Sequence, residues 1–401
     1  MAESHKYVIV GGGMAADAAA RGIRRRDAQG SVLMLSSESF PPHDRPPLSK
    51  ALWKKGGKVE NIWRSLDYRE LRVTLRLGEQ VAAIRPGPHE VALASGALVG
   101  YEKLLLATGG MPRPLPGNPE GVMYFRTAQD YFGLRRAILS GHEAVVVGGG
   151  FIGAEMAAAL TLAGKHVHMV FPERGVLSRL LPAPLSDGIT DDYRRRGVSV
   201  HAGRTVTGTK PADGGAWRVM LDDGTLLEGA AVVAGLGIVP EVDLLAALGV
   251  ECRDGIAVDA YGATSVGDVY AAGDVANFFA PALNQRIRVE HEDHANRHGE
   301  CVGANMAGAA TPYDYLPYFY SDLFDLGFEA VGRIDSRLAT LDDWIQPGQQ
   351  GAVFYLDGGQ VVGVLCVDLW DRLDAARQLI AGGQRVLGAA DVQGRLTGER
   401  G

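Results

Sequence analysis

Residues 6–26 read KYVIVGGGMAADAAARGIRRR. The apolar run over residues 6–10 predicts a buried strand, and the alanine-rich run over residues 14–26 predicts a helix. Between them stands the spacing Gly11-x-Gly13-x-x-Ala16. It gives a tight turn, a backbone that can approach a pyrophosphate, and a small residue where helix and strand pack. Because the helix N-terminus also offers free N–H groups to phosphates, the stretch predicts a dinucleotide-binding unit.

An acidic residue completes this first unit. The next apolar run, over residues 31–35, predicts a second strand, and Glu38 follows it. A carboxylate at this place can accept hydrogen bonds from the hydroxyl groups of a ribose. Strand, glycine turn, helix and acidic residue together are a more specific signal than a glycine motif alone.

The same arrangement returns later in the chain. A strand is predicted over residues 143–147, and the spacing Gly148-x-Gly150-x-x-Gly153 opens the next predicted helix. Glu173 follows the strand after that helix. One unit of this kind serves one cofactor, so two of them predict two bound dinucleotides. We therefore predict an α/β fold with two Rossmann-type dinucleotide-binding domains.

Length and charge narrow the class of protein. The chain has 401 residues, of which 46% are hydrophobic and 22% charged, and its formal net charge is -7. These values are typical of a soluble enzyme of two or three domains, and the mixed charges disfavour nucleic acid as a partner. No apolar run approaches the about 18 residues of a spanning helix. Because the first residues also lack the pattern of a signal peptide, we expect a cytoplasmic protein without a membrane span.

The three cysteines exclude one common flavoenzyme chemistry. Cys252, Cys301 and Cys366 lie far apart and form no CxxC pair. This spacing argues against a structural disulfide set, a thiolate zinc site and a redox-active disulfide. We expect three buried free thiols.

The pattern changes beyond about residue 317. Alternating apolar residues over 352–355 and 361–367, joined by the turn Asp357-Gly358-Gly359, predict an antiparallel hairpin. A helix is predicted from about residue 370 to residue 380. The glycine-rich tail after Gly382 is expected to be loosely held. A small C-terminal α+β domain follows.

Four short motifs carry a family resemblance: DRPPLSK at residues 44–50, LATGG at 106–110, TS at 264–265 and YAAGD at 270–274. With them the chain resembles, over nearly its whole length, the FAD-dependent pyridine nucleotide reductases. Within that family it is similar to the ferredoxin reductases of oxygenase systems and to the apoptosis-inducing factor group. The resemblance implies that the first glycine unit and the YAAGD segment bind FAD, with Asp274 on the ribityl chain. It implies that the second unit binds NADH or NADPH.

A catalytic pair is also implied by the resemblance. Lys50 would lie near the flavin N5 atom and pair with Glu155, and Arg126 in a Phe-Arg-Thr segment would contact FAD. Pro46 and Pro47 have fixed φ angles and restrain the loop that carries Lys50. Such a pair would put positive charge where reduced flavin develops negative charge and would orient the nicotinamide ring.

The glycine motifs and the resemblance together supply a set of cofactor-binding residues. They are Gly11, Gly13, Met14, Ala15, Ala16, Glu38, Arg45, Lys50, Val81, Ala107, Thr108, Gly109, Arg126, Asp274, Glu290, His291, Glu292, Gly148, Gly150, Phe151, Ile152, Gly153, Glu155, Glu173, Arg179, Gly237 and Tyr320. No metal site is predicted. The spacing His291-x-x-His294 is better explained by stacking or hydrogen-bonding groups beside the flavin than by metal ligands.

Cofactor preference depends on a few charges. Glu173 favours the ribose 2′-hydroxyl of NADH and would repel a 2′-phosphate, whereas Arg174 and Arg179 could accept one. NADH is the cofactor that we favour, with NADPH as the alternative.

Domain boundaries follow from the same resemblance and from the return of the chain after residues 231–239. We predict an FAD-binding domain over residues 1–112 and 243–316, and an inserted NAD(P)H-binding domain over residues 113–242. Residues 317–401 form the C-terminal α+β domain. The architecture is that of a glutathione-reductase-like enzyme.

Two positions depart from the oxygenase-type ferredoxin reductases. Glu292 stands where those proteins carry a tryptophan beside the flavin, and Tyr320 stands where relatives carry a tryptophan against the nicotinamide. The residues around both positions look more like apoptosis-inducing factor. The electron acceptor therefore stays open at this point.

Three functions compete. The favoured one is an NADH-dependent flavoprotein reductase that passes electrons to a ferredoxin or rubredoxin, as a monomer or homodimer. The second is an NADH oxidase or quinone reductase similar to apoptosis-inducing factor, with oxygen or a quinone as acceptor, or an NADH-sensing flavoprotein. The third is a non-catalytic dinucleotide-binding scaffold.

Overall fold

The computed structural model describes residues 3–65, 67–139 and 141–398. Within them the helices are α1 (Met14–Arg26), α2 (Pro46–Ser49), α3 (Ala128–Ala137), α4 (Phe151–Leu162), α5 (Ala183–Arg195), α6 (Asp243–Ala246), α7 (Glu292–Met306) and α8 (Leu373–Gly382). The helix predicted over residues 14–26 is confirmed at both ends.

The strands of the first half of the chain are β1 (Glu3–Val10), β2 (Val32–Ser36), β3 (Val73–Leu77), β4 (Val81–Arg85), β5 (Glu90–Leu93), β6 (Leu98–Leu106), β7 (Gly110–Pro112), β8 (Val122–Tyr124), β9 (Glu143–Val147), β10 (His166–Phe171) and β11 (Ser199–Ala202). Those that follow are β12 (Val206–Pro211), β13 (Trp217–Leu221), β14 (Leu226–Gly229), β15 (Ala231–Ala234), β16 (Ile238–Pro240), β17 (Ile256–Ala257), β18 (Val269–Ala271), β19 (Ala276–Ala280), β20 (Gln285–Arg288), β21 (Tyr318–Leu323), β22 (Leu326–Gly332), β23 (Ala339–Gln346), β24 (Gln350–Asp357) and β25 (Gln360–Val367).

Contacts among the described residues group the chain into two compact units. Unit 1 comprises Met1–Arg45, Val59–Met111 and Val239–Pro317. Unit 2 comprises Pro46–Lys58, Pro112–Ile238 and Tyr318–Gly401, and so includes the segment that carries Lys50. The three-domain boundaries given by the sequence stay a prediction.

Unit 1 is built on a sheet of order β3-β2-β1-β6-β5-β4, with β18 also paired to β6. The strands β3, β2, β1, β6 and β18 run parallel. Along β1, Val8 and Val10 pack into one apolar cluster, while Tyr7 and Ile9 pack into another. Because side chains alternate across a strand, the sheet is buried on both faces, as parallel sheets with helical crossovers are.

Helices α1 and α7 of unit 1 pack backbone to backbone. A Cβ atom added at Gly303 would lie 2.1 Å from the carbonyl oxygen of Ala19, and one added at Gly299 would lie 2.4 Å from that of Ala15. A Cβ atom at Gly22 of α1 would meet the carbonyl oxygen of Glu300 at 2.2 Å. Such approach requires glycine, and it fixes α7 against the helix that begins at the first glycine turn.

Unit 2 contains a parallel sheet of order β11-β10-β9-β15-β8. Strand β15 ends at Ala234, before the turn Gly235-Leu236-Gly237, so the apolar run that continues to residue 239 is not one strand. An antiparallel meander, β12-β13-β14, follows β11 in the chain.

The C-terminal part of unit 2 forms an antiparallel sheet of order β21-β22-β25-β24-β23, and the predicted hairpin is β24–β25. Helix α8 begins at Leu373, three residues later than predicted. The expectation of a loose tail is wrong for residues up to 398. Val392 and Leu396 are buried, and Thr397 donates its hydroxyl to the Asp343 carboxylate at 2.5 Å. This packing could not be predicted, because two apolar residues among glycines do not make a helical or strand period.

The predicted α/β fold class, with two dinucleotide-binding domains and a C-terminal domain, is confirmed. Cys252, Cys301 and Cys366 are free thiols, but only Cys366 is buried, so the expected burial is wrong for the other two. Within the part of the chain that the structure describes, no helix has the length and apolarity needed to cross a membrane.

The contact between α1 and α7 predicts that Gly303→Ala destabilises unit 1. The added methyl group would force the two helices apart, and overpacking of this kind costs about 1 to 3 kcal/mol. Chemical denaturation should show the loss as a lower midpoint. Gly188→Ala in α5 is the matched control, because an added Cβ atom there meets nothing within 4 Å. That variant should be as stable as the parent or gain about 0.5 to 1 kcal/mol. Equal midpoints for Gly303→Ala and the parent would contradict the packing.

Candidate functional site

The first glycine turn has the backbone geometry of a phosphate cradle. Gly11 has a φ of +126°, and a Cβ atom there would lie 2.2 Å from the carbonyl oxygen of Ala107. Gly13 is the N-cap of α1, and no side chain caps the helix. The N–H groups of the first turn, from Met14 onward, therefore have no partner from a capping side chain and remain available to an anion.

Other predicted residues of unit 1 lie at the same edge of the sheet. In the parallel register Val10 is level with Leu106, and Leu106 is level with Ala271. The segments that leave these strands therefore emerge together: Gly11–Ala16 from β1, Ala107–Gly109 from β6, and Ala272–Asp274 from β18. A Cβ atom at Gly273 would lie 2.7 Å from the Cβ atom of Ala15. Ligands of open α/β sheets bind at this carboxyl edge.

Glu38 and Arg45 form an ion pair beside the turn. The Arg45 Nη2 atom lies 2.7 Å from the Glu38 Oε1 atom, and both side chains are about four-fifths buried. The same Nη2 atom would be 3.8 Å from a Cβ atom at Gly13. The Arg45 guanidinium group thus lies next to the N-terminus of α1, where its positive charge suits a pyrophosphate. It also lies next to Glu38, the carboxylate that the sequence assigns to the ribose.

A buried carboxylate in α1 was missed by the sequence analysis. Asp17 is fully buried and accepts hydrogen bonds from Arg21, Arg64 and Tyr68, with distances of 2.7 to 3.2 Å. Burial acts to raise the pKa of Asp17, but the two guanidinium groups outweigh it and lower that pKa. Arg64 also binds Asp44 at 2.7 Å. The network anchors the loop around Arg64 on the first turns of α1. In the sequence, the feature that could have indicated this network was an acidic residue near a helix N-terminus.

The start of α7 brings a second group of predicted residues to Asp274. Arg288 donates to the backbone oxygen of Asp274 at 3.2 Å and pairs with Glu290 at 2.7 Å. His291 is the N-cap of α7, Glu292 is its first residue, and burial lowers the pKa of His291 to about 4. His294 stacks on Phe278 with ring centroids 4.9 Å apart, which agrees with the stacking interpretation of this spacing.

Two predicted FAD contacts stand apart from these. Val81 begins β4 and packs within the apolar core of unit 1. Arg126 belongs to unit 2, where its backbone N–H donates to the Asp130 carboxylate at 3.0 Å in front of α3. The role of both residues at a cofactor stays a prediction.

The second glycine turn repeats the geometry in unit 2. Gly148 has a φ of +122°, and a Cβ atom there would lie 2.4 Å from the carbonyl oxygen of Gly235. Gly150 is the N-cap of α4 without a side-chain cap, and a Cβ atom there meets nothing within 4 Å. A Cβ atom at Gly153 would lie 2.0 Å from the carbonyl oxygen of Gly148. An uncapped helix start with open space in front fits a second pyrophosphate.

The remaining predicted residues of this unit surround α4. Phe151 and Ile152 form its first turn, and the Phe151 ring lies 4.9 Å from that of Phe319. Gly237 has a φ of +79° and accepts a backbone hydrogen bond from Arg113.

Charge pairing surrounds Glu173, the residue that the sequence assigns to the ribose. Arg179 binds the Glu173 carboxylate at 2.5 Å, and its own side chain is 78% exposed. Arg174 instead pairs with Asp187 at 2.9 Å. Glu173 and Arg179 therefore neutralise each other, and Arg174 is held by Asp187.

The predicted catalytic pair is formed inside unit 2. The Lys50 Nζ atom lies 3.1 Å from the Glu155 Oε1 atom, and their side chains are 10% and 6% exposed. The ammonium group also lies 4.2 Å from the centroid of the Tyr320 ring and 3.4 Å from the Tyr320 carbonyl oxygen. The pair is therefore an ion pair largely removed from water, with an aromatic ring covering the cation.

Two serines hold the carboxylate of this pair, and the sequence analysis did not single them out. Ser49 donates its hydroxyl to the Glu155 Oε2 atom, and Ser321 donates to Oε1, each at 2.6 Å. A signal existed, because each serine is the chain neighbour of a predicted site residue, Lys50 or Tyr320. With these bonds both oxygens of Glu155 are occupied, which fixes the plane of the carboxylate and the place of the ammonium group.

Comparison with known proteins agrees with this geometry. Residues 5–299 match the family model described as pyridine nucleotide-disulphide oxidoreductase. Residues 302–351 match the model described as apoptosis-inducing factor, mitochondrion-associated, C-term.

Curated relatives and solved structures extend the match to almost the whole chain. It is 36% identical to apoptosis-inducing factor 1, mitochondrial, of Dictyostelium discoideum, over 94% of this chain and 78% of that protein. It is 35% identical to the anthranilate 1,2-dioxygenase system ferredoxin--NAD(+) reductase component of Burkholderia cepacia, over 94% of each chain. The crystal structure of a covalent putidaredoxin reductase–putidaredoxin complex matches with a TM-score of 0.87 and 30% identity, over 95% of this chain and 94% of that one.

The chain belongs to the pyridine nucleotide-disulphide oxidoreductase family. It is an NAD(P)H-dependent flavoprotein reductase whose cofactors are FAD and a nicotinamide dinucleotide. The expected resemblance, between ferredoxin reductases and apoptosis-inducing factor, is confirmed. Both uncapped glycine turns fit the dinucleotides that these cofactors contain.

The pairing of Glu173 predicts the effect of its removal on cofactor preference. Glu173→Ala deletes the proposed ribose acceptor and removes the carboxylate partner of Arg179, whose guanidinium group can then meet a 2′-phosphate. Hydrogen bonds to charged groups contribute about 1.5 to 3 kcal/mol. We therefore expect kcat/KM for NADH to fall roughly 10- to 100-fold while that for NADPH is unchanged or rises.

Steady-state kinetics with both cofactors measure this change. Glu228→Ala is the control, because Glu228 is an exposed glutamate of the same unit that also pairs with an arginine, Arg218. An unchanged preference in Glu173→Ala would assign the reading of the ribose to another residue.

Proposed function

We propose that this protein takes a hydride from NADH to FAD and passes the electrons to a ferredoxin-type carrier. The observation that supports the proposal most is the buried Lys50–Glu155 ion pair, whose carboxylate is held by Ser49 and Ser321. Burying two charges costs free energy, and a pair that is retained at such cost points to a functional role.

Each unit has a cofactor in this proposal. Unit 1 would hold FAD, which accepts a hydride and releases electrons singly when bound. Its pyrophosphate would meet the α1 N-terminus at Gly11–Ala16 and the Arg45 guanidinium, its ribose would meet Glu38, and its ribityl chain would meet Asp274. Unit 2 would hold NADH with the α4 N-terminus on the pyrophosphate and Glu173 on the ribose.

Lys50 is the residue to which we assign electrostatic stabilisation. Its ammonium group would face the negative charge that develops on the flavin. Because both Glu155 oxygens are already bonded, the ammonium group is preorganised and needs no rearrangement during the reaction. Tyr320, over the ammonium group, would lie against the nicotinamide and exclude water from it.

The absence of a cysteine pair bears on the acceptor. The three cysteines of the chain are separate thiols, so electrons have no disulfide to pass through. The Burkholderia relative is named as a ferredoxin reductase component, and the matching crystal structure contains putidaredoxin. We infer a small external one-electron carrier, a ferredoxin or rubredoxin.

A second function is favoured by a separate observation. Residues 302–351 match the C-terminal model of apoptosis-inducing factor, and Tyr320 lies in that segment. This favours an NADH oxidase, a quinone reductase or an NADH-sensing flavoprotein. A non-catalytic scaffold is the weakest candidate, since it leaves the buried charge pair without a role.

Two further statements stay proposals. A cytoplasmic location remains the proposal from the sequence, although the Dictyostelium relative is named mitochondrial. Monomer and homodimer are both compatible with the described residues.

Comparison of acceptors tests the proposed function. Purified protein is supplied with NADH and with a ferredoxin plus cytochrome c, a rubredoxin plus cytochrome c, a quinone, or oxygen alone. We expect turnover with an iron–sulfur carrier to exceed that with quinone and oxygen at equal concentrations. Faster turnover with quinone or oxygen would favour the second function. If NADH does not reduce the flavin, only the non-catalytic scaffold remains as a function.

The proposed role of Lys50 predicts a slower reductive step in Lys50→Met. Loss of one preorganised donor typically costs about 10²- to 10³-fold in rate, or about 2.7 to 4 kcal/mol. FAD should stay bound, because its proposed contacts in unit 1 are untouched. Anaerobic stopped-flow bleaching of the flavin by NADH measures the rate. Lys55→Met, an exposed lysine of the same segment, is the control and should reduce at the parent rate.

A further inference from the structure

Histidines gather on one face of the parallel sheet in unit 2. Glu143 is the first residue of β9, His166 and His168 are the first and third of β10, and His201 is the third of β11. In the register, Glu143 is level with His166, and His168 is level with Ser199. Residues level with each other or two apart share a face of a sheet, so all four lie on one face.

Three of these side chains are close enough to share one ion. Glu143, His166 and His168 each offer a ligand atom, and these atoms lie within 4.8 Å of one another. The Glu143 Oε1 atom lies 3.5 Å from the His166 Nδ1 atom. The His168 Nδ1 atom lies 3.2 Å from the His201 Nε2 atom. This contact orients the His168 ring, as the neighbours of metal-ligating histidines do.

The donor set selects the class of ion. Imidazole nitrogens with one carboxylate suit Zn²⁺, Cu²⁺ and Ni²⁺, whereas Mg²⁺ and Ca²⁺ need oxygen ligands. His166 and Glu143 are roughly half exposed, so an ion can enter from solvent. His168 and His201 are half-buried and lie further along their strands.

We propose that Glu143, His166 and His168 form a binding site for one divalent transition-metal ion, and that His201 orients the His168 ring. The site departs from the sequence prediction of no metal, which considered the pair on α7 and not residues brought together by strand register. It also differs from the proposed cofactor residues, because Gly148 and Glu173 follow the opposite, carboxyl ends of β9 and β10.

Bound metal would stabilise unit 2 without entering hydride transfer. It would tie β9 to β10 at their amino ends, and any ligand that binds only the folded state raises the free energy of unfolding. The alternative is a surface cluster in which His166 contacts Ser199 at 3.2 Å and the imidazoles interact only with one another. Metal binding distinguishes the two.

The test uses full-length, FAD-loaded protein without a histidine tag, treated with a chelator and then dialysed against Zn²⁺. Metal analysis should give one Zn²⁺ per chain with saturable binding, and the thermal midpoint should rise with Zn²⁺. His168→Ala and Glu143→Gln should each weaken binding by about 10-fold or more, since even indirect partners of a metal contribute about 10- to 100-fold. His89→Ala, an exposed histidine of unit 1, is the matched control and should bind as the parent does.

Folding is checked separately by flavin content and circular dichroism, and Glu143→Gln keeps the test valid if His168→Ala does not fold. Electron paramagnetic resonance of Cu²⁺-loaded protein should show nitrogen hyperfine coupling that His168→Ala reduces. The rate of flavin reduction by NADH should be the same with and without Zn²⁺. Absence of saturable Zn²⁺ binding, or equal affinity of the parent and both site variants, would overturn the proposal.

Discussion

The carboxylate of Glu155 holds together the part of this protein that distinguishes it from a simple nucleotide-binding domain. It lies one turn into α4, where the dinucleotide turn has already fixed the helix start, and it bonds Ser49, Lys50 and Ser321. Those partners come from the segment before β3, which carries Ser49 and Lys50, and from the first strand of the C-terminal sheet, which carries Ser321. A buried carboxylate without them would carry a large desolvation cost. Its retention thus links three distant parts of the sequence inside unit 2.

A second constraint is shared by both units. Gly11 lies against the carbonyl oxygen of Ala107, and Gly148 lies against that of Gly235; each of these oxygens belongs to the segment that follows a neighbouring strand. Both glycines have φ values that other residues rarely adopt. Each turn leaves a helix start without a side-chain cap. The same glycine turn therefore forms an anion site in each unit. The acidic residue after the next strand, Glu38 or Glu173, adds the proposed ribose acceptor.

Local patterns made the sheets and turns predictable. The helix over residues 14–26 and the strand over 143–147 were predicted at both ends, because glycine spacing and apolar runs act over a few residues. Contacts between distant segments were harder to predict from the sequence. Ser49 and Ser321 gave no pattern of their own, and Lys50 with Glu155 came from family resemblance. The network of Asp17 with Arg64 and Tyr68, the packing of Val392 and Leu396, and the histidine cluster on β10 and β11 arise only when strands and helices are brought together in three dimensions.

The central claim is that Lys50 and Glu155 act as one unit in hydride transfer, and a double-mutant cycle tests it most directly. Flavin reduction by NADH is measured anaerobically for the parent, Lys50→Met, Glu155→Gln and the double variant, each with its flavin content checked. If the groups act together, the double variant reduces at nearly the rate of the slower single variant, since the first substitution already removes the shared interaction. If the two rate losses multiply, or if Lys50→Met reduces as fast as the parent, the lysine is a separate charge and the paired mechanism is wrong.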